Sequence, residues 1–190
     1  MYIAPYDDFA FIHINKTGGR SATAFMQENV RGFYRVALHF VHKPLSFIGQ
    51  EWYESQKRIL SIIRNPYDRY ESLYFYRRQK YRQGNEAGQN VDAYEMDFPE
   101  WMDLILDSGE ILDGTQDSFL NPWTDNLHVI KLENLHKELC AFLNLDPCRF
   151  KTPHVNKSKR EPVKWPTLLK RDVYDLEESI FQHYPEEVRP

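Results

Sequence analysis

The alternation of short apolar runs with helical stretches sets the reading of this chain. Phe9 to Ile14 is an apolar run with β-branched and aromatic members, bounded by Asp7 and Asp8 before it and by a glycine pair after it, and it predicts a buried strand. Asn15 to Ser21 then reads as a loop, and Ser21 to Val30 as a helix with Ala22, Phe25, Met26 and Val30 apolar. Phe33 to Leu38 fits a second strand, and Lys43 to Tyr53 has no clear pattern. Arg58 to Ile63 is apolar at nearly every residue, as expected of a parallel strand covered on both faces.

Asn65 is a good N-cap and Pro66 suits a first helical position, so a helix is predicted from Pro66 to about Arg82. Gln83 to Asp97 is polar, carries Gly84 and Gly88 and has no period, which predicts a long loop. The pattern continues with a helix over Phe98 to Leu106, a strand over Leu127 to Leu132, a helix over Glu133 to Leu143 and a closing helix over Thr167 to Tyr184. Strands alternating with helices predict an α/β fold of three layers, a central parallel sheet flanked by helices on both faces.

Composition narrows the function classes. A chain of 190 residues, 42% of them hydrophobic and 15% aromatic, can bury one good core, so residues 1–190 read as a single domain. A net charge of −4 and an isoelectric point near 6.0 argue against holding nucleic acid or an anionic membrane. Cys140 and Cys148 are too few for a disulfide framework and lack the partners of a zinc site. No apolar stretch approaches the ~20 residues of a membrane span, and the first residues lack a signal-peptide pattern, so a cytoplasmic protein is expected. Gln83 to Ile130 carries eleven acids and no Lys or Arg, whereas Lys151 to Arg171 carries seven basic residues and one acid. A polyanionic ligand should avoid the first stretch and touch the second.

Two segments carry candidate chemistry. Lys16, Thr17, Gly18 and Gly19 lie between a predicted strand and a predicted helix. Such a loop gathers backbone N–H groups and a helix N-terminus around one point, which is how folds hold phosphate-like anions. The glycines let the backbone approach a ligand, and Lys16 adds charge. The lysine precedes the glycines, so this is not the GxxxxGK[ST] loop of ordinary nucleotide kinases and ATPases. In the second segment, Arg64 leaves the carboxyl end of a strand, where open α/β sheets place their ligands, and Ser72 lies about two turns along the following helix. Arg64 and Ser72 are therefore candidates to share a phosphate. Arg69 competes with Arg64, or else pairs with Asp68 or a carboxylate elsewhere. Tyr67, Tyr70, Tyr74 and Tyr76 read as packing surface.

These two motifs, in this order, resemble those of the sulfotransferases that use 3′-phosphoadenosine 5′-phosphosulfate (PAPS). The nearest group includes carbohydrate and heparan sulfate O-sulfotransferases and their small bacterial relatives. Phe11 to Ser21 is similar to that family's 5′-phosphosulfate loop, and Ile62 to Ser72 to its 3′-phosphate motif. Val129 to Leu135 and Asn156 to Arg160 are weaker echoes of a later strand-turn-helix and of the loop that closes over the nucleotide. The family usually has proline before the lysine and a small hydroxyl residue after the second glycine, where this chain has Asn15 and Arg20.

The resemblance implies a P-loop-like nucleotide-binding fold and transfer of a sulfuryl group from PAPS to a hydroxyl, leaving 3′-phosphoadenosine 5′-phosphate (PAP), with no metal. It implies that Lys16 neutralises the leaving oxygen and that Thr17, Gly18, Gly19, Arg20 and Ser21 hold the 5′-phosphate. Arg64, Ser72, Lys157, Ser158 and Arg160 complete the nucleotide contacts. His42 best matches the family's base, with His39 as the alternative, while His13 reads as a core residue. The acceptor is unidentified, a carbohydrate or small molecule being favoured, and the acidic stretch argues against a highly sulfated polymer. Two other readings stay open: a PAPS- or PAP-binding regulatory protein without the base, and a nucleotide kinase of related fold.

Overall fold

The structure, a computed structural model, describes residues 2–4, 8–35, 58–107, 114–153 and 161–190. These form a mixed α/β protein with a five-stranded sheet and flanking helices, in two compact units. One unit is drawn from Met1–Arg64 and Ser118–Val155, the other from Asn65–Asp117 and Asn156–Pro190.

The first unit holds the sheet, whose strands are β1 (Tyr2–Ala4), β2 (Phe9–Ile12), β3 (Tyr34–Arg35), β4 (Arg58–Ile63) and β5 (Leu127–Lys131). Their order is β3-β1-β2-β4-β5, with β2, β4 and β5 parallel and β1 antiparallel to both its neighbours. The expectation of a wholly parallel sheet is thus corrected: its centre is parallel and its β1 side antiparallel. Strand β1, three residues long, is too short for a periodic signal. It reaches β2 across residues 5–8, and a connection that short favours antiparallel pairing.

All four residues of β2 are buried, as the apolar run predicts. Phe9 and Phe11 on β2, Leu60 and Ile62 on β4 and Ile130 on β5 share one face, against which pack Ala22, Phe25 and Met26 of helix α1 (Gly19–Asn29). Ala10, Ile12, Ile59 and Ile63 on the opposite face are also buried. Ser61 is fully buried among them, and its hydroxyl donates to the Ile12 carbonyl at 3.1 Å, which satisfies the polar group.

The second unit is helical: α2 (Pro66–Arg82), α3 (Gly88–Glu95), α4 (Phe98–Asp107), α7 (Thr167–Leu176) and α8 (Glu178–Phe181), with α5 (Gln116–Leu120) at the boundary of the division. Asn65 caps α2 through its side-chain oxygen, which accepts from the Tyr67 N–H at 3.0 Å. Tyr70 and Tyr74 are core residues, as expected, packed with Trp101, Met102, Val173 and Phe181. Tyr76 is exposed. The predicted loop over 83–97 is corrected: α3 lies inside it, docked on α2 by burial of Ala93 and by stacking of Tyr94 on Tyr81 at 4.2 Å. Tertiary packing overrides the weak local pattern there.

The helix expected over 133–143 opens instead as a 3-10 turn, Leu132–Asn134, before α6 (Leu135–Phe142). The closing helix is interrupted at Glu177, which ends α7 and caps α8. No described helix is long and apolar enough to cross a membrane.

Candidate functional site

Strand β2 runs into His13 and Ile14, still buried, and then into the turn at 15–18 that opens α1. Two residues of this turn have left-handed backbones, Lys16 with φ 67 and Gly18 with φ 86. Glycine adopts this region at no steric cost. A lysine there holds about 1–3 kcal/mol of strain, which such turns carry at ligand sites. The Thr17 hydroxyl is turned inward and donates to the Ile14 carbonyl at 3.0 Å, so Thr17 can serve an anion only through its backbone.

Gly18 caps α1 without a side-chain hydrogen bond, and the first turn contains no acid. The amides of Ser21 and Ala22 turn back to the Gly18 carbonyl at 3.0 and 3.2 Å. Those of Gly19 and Arg20 have no acceptor within the helix, and the positive end of the helix dipole lies at the same point. Arg20 is exposed, and Ser21 is buried.

Parallel pairing brings Arg64 to this turn. Ile12 of β2 faces Ser61 of β4, so both strands leave the sheet at the same edge. Arg64 follows immediately, 9% exposed, and its Nη1 donates to the Lys16 carbonyl at 3.4 Å. Leu132, just past β5, packs over Gly18, where any Cβ would overlap its Cδ1. The ends of all three parallel strands therefore build or support the turn, and two cations, Lys16 and Arg64, adjoin it.

Ser72 is buried on α2 in the second unit. Arg69 is also buried, 1% exposed, and the carboxylate-partner reading is the one the structure bears out. Its Nη1 faces Glu177 Oε1 at 3.5 Å and its Nη2 donates to the Gly114 carbonyl at 2.8 Å. Glu177 is fully buried and accepts from the backbone N–H groups of Gln116 and Asp117 at 3.0 and 3.2 Å. Asp117 in turn accepts from the Ser179 hydroxyl. Sequence reasoning missed Glu177, since an acid within a helical pattern carries no sign of burial.

Burial pushes the Glu177 carboxyl from its usual 4.5 up to about 7, against the downward pull of Arg69 and of the two N–H groups. The Asp117 carboxylate adds to the rise, and Tyr70, whose hydroxyl burial also pushes up, stays neutral throughout. The folded protein therefore holds a proton that the unfolded chain releases. The resulting stability is complete below about pH 4.5 and is lost as pH rises through 7. Urea unfolding should show a decline on the order of 2–3 kcal/mol between pH 5 and pH 7.5. Glu177→Gln should flatten it, and an unchanged slope in that variant would place its origin elsewhere.

His13, expected to be a core residue, is 7% exposed, with its ring against Phe11, Tyr2 and Gly19. His39 and His42, and Lys157, Ser158 and Arg160, lie outside the described residues. Among the described residues, no three His, Cys, Asp or Glu side chains gather closely enough to hold a metal ion.

A family model described as the sulfotransferase family matches residues 1–171, which takes in the Lys16–Gly19 turn, Arg64 and the whole sheet. No curated protein and no solved structure matches the chain. With nine-tenths of its length matched, and with the turn and Arg64 adjoining at one sheet edge, the chain belongs to the sulfotransferase family.

Proposed function

We propose that the protein transfers a sulfuryl group from PAPS to a hydroxyl of a carbohydrate or small molecule, releasing PAP. The observation that carries this is the Lys16–Gly19 turn, which opens α1 at a helix N-terminus with no acid in its first turn, with Arg64 anchored on the Lys16 carbonyl. Those residues fit a donor with a 5′-phosphosulfate and a 3′-phosphate: the amides of residues 17–20 for the first, and Arg64 for the second. Ser21, Ser72, Lys157, Ser158 and Arg160 are assigned to the nucleotide on the family pattern alone. We read the two units as parts of one domain of P-loop-like kind.

The donor supplies an activated sulfuryl group. In the transfer, the acceptor oxygen forms the new bond to sulfur and the bond from sulfur to the phosphate oxygen breaks. The Lys16 ammonium stabilises the charge that collects on that departing oxygen, and the α1 amides hold the phosphate in line. A histidine, His42 or else His39, takes the acceptor proton. The protein needs no metal for these roles. The acid-rich stretch from Gln83 to Ile130 disfavours a heavily sulfated acceptor.

Calorimetry with PAP in EDTA tests the donor assignment. Micromolar binding, about −8 kcal/mol, is expected for the wild type. Arg64→Ala should weaken it about 10- to 100-fold, the usual effect of losing hydrogen bonds to a charged group. Folded protein that does not bind PAP would end the proposal. Replacing both His39 and His42 with alanine should keep PAP binding and abolish transfer, whereas unchanged transfer would refute the base.

A further inference from the structure

Gly18 and Gly19 are glycines for different reasons. Gly18 has a left-handed backbone, but Gly19 is the first residue of α1, in helical conformation, where alanine is the better helix former. What excludes a side chain there is His13. A Cβ on Gly19 would overlap the ring atoms Cδ2 and Nε2 of His13 and lie 2.9 Å from its Cγ. The imidazole is 7% exposed, stacks on Phe11 at 5.9 Å and tilts against Tyr2 at 6.3 Å, so a shift away from a new methyl group would disturb these contacts.

His13 continues the alternation of Phe9 and Phe11, the β2 residues on which α1 packs. A ring wedged between the end of that row and the first residue of the helix sets how closely the helix start approaches the strand. We propose that His13 is a positioning residue for the anion turn: wedged against Gly19, it fixes the first turn of α1 and thereby aims the Gly19 and Arg20 amides. The proposal rests on the donor reading above.

The test compares wild type, Gly19→Ala, His13→Ala and the double variant, each titrated with PAP and with adenosine 3′-phosphate, which lacks the 5′-phosphate. Gly19→Ala should weaken PAP about 10- to 100-fold, the scale of a misplaced binding group, and leave adenosine 3′-phosphate within about twofold. The double variant should recover at least about fivefold of the PAP affinity lost in Gly19→Ala, because removing the ring makes room for the new methyl group.

Penalties that simply multiply in the double variant would overturn the proposal, and so would an equal loss on both nucleotides. If the wild type bound neither nucleotide, the donor reading would fail. Urea unfolding midpoints of the four proteins would then still decide the wedge, coupling between positions 13 and 19 supporting it and additivity denying it.

Discussion

Lys16→Ala is expected to lower the rate of sulfuryl transfer by about 10²–10³-fold while leaving PAP affinity within about tenfold of wild type. The two effects separate because PAP, the product, no longer carries the bond whose breaking builds up charge. A cation that acts on that developing charge shows in the transition state and much less in product binding. Lys16 is half-buried in a left-handed turn, so its side chain leaves the backbone in a direction that an ordinary helical or extended residue would not share.

Lys16→Gly relieves the backbone strain and should be no less stable than Lys16→Ala, yet equally slow. Lys16→Arg keeps the charge but replaces a point cation by a planar fork, and is expected to recover only part of the rate. Single-turnover transfer from PAPS with a generic hydroxyl acceptor measures all three. Transfer by Lys16→Ala within tenfold of wild type would remove the lysine from the mechanism.

Glu177→Leu is expected to be the most destabilising single change in the second unit, costing about 3–5 kcal/mol. It leaves the Arg69 guanidinium buried without its carboxylate, and arginine cannot discharge itself by losing a proton. Arg69→Met should cost less, because the carboxyl left behind can take up a proton, as its upward shift already favours. The pair Arg69→Met with Glu177→Leu should lie within about 1–2 kcal/mol of wild type, since apolar replacement of both partners removes the stranded charge. Urea unfolding at pH 7.5 distinguishes these cases, and a Glu177→Leu protein as stable as wild type would show the pair to be dispensable.

The parts of this fold that could be read from the chain are those where one local signal suffices. The apolar runs at Phe9 and Arg58 marked β2 and β4, and the Asn65-Pro66 cap marked the start of α2 at the residue where it begins. The strand-to-helix turn at Lys16–Gly19 was legible for the same reason, and the parallel register of β2 and β4 brings Arg64 to it. What could not be read depends on partners distant in sequence. Helix α3 is held by Tyr81 and Ala93 rather than by its own polar pattern, and Arg69 finds its carboxylate 108 residues further on. The two adjacent glycines looked alike as turn residues, and it takes the left-handed backbone of Gly18 and the His13 ring beside Gly19 to tell them apart.

The break at Glu177 also bears on how little of this chain can fold alone. The family pattern ends at Arg171, but Val173, Glu177, Ile180 and Phe181, all fully buried, come after it. A polypeptide stopped at Arg171 would keep every residue assigned here to the donor. It would also lose the apolar side chains that close the helical unit and the buried acid that faces Arg69. The stretch that carries the chemistry and the shortest stretch that can hold its shape are therefore different lengths of chain, and the last nineteen residues belong to the second.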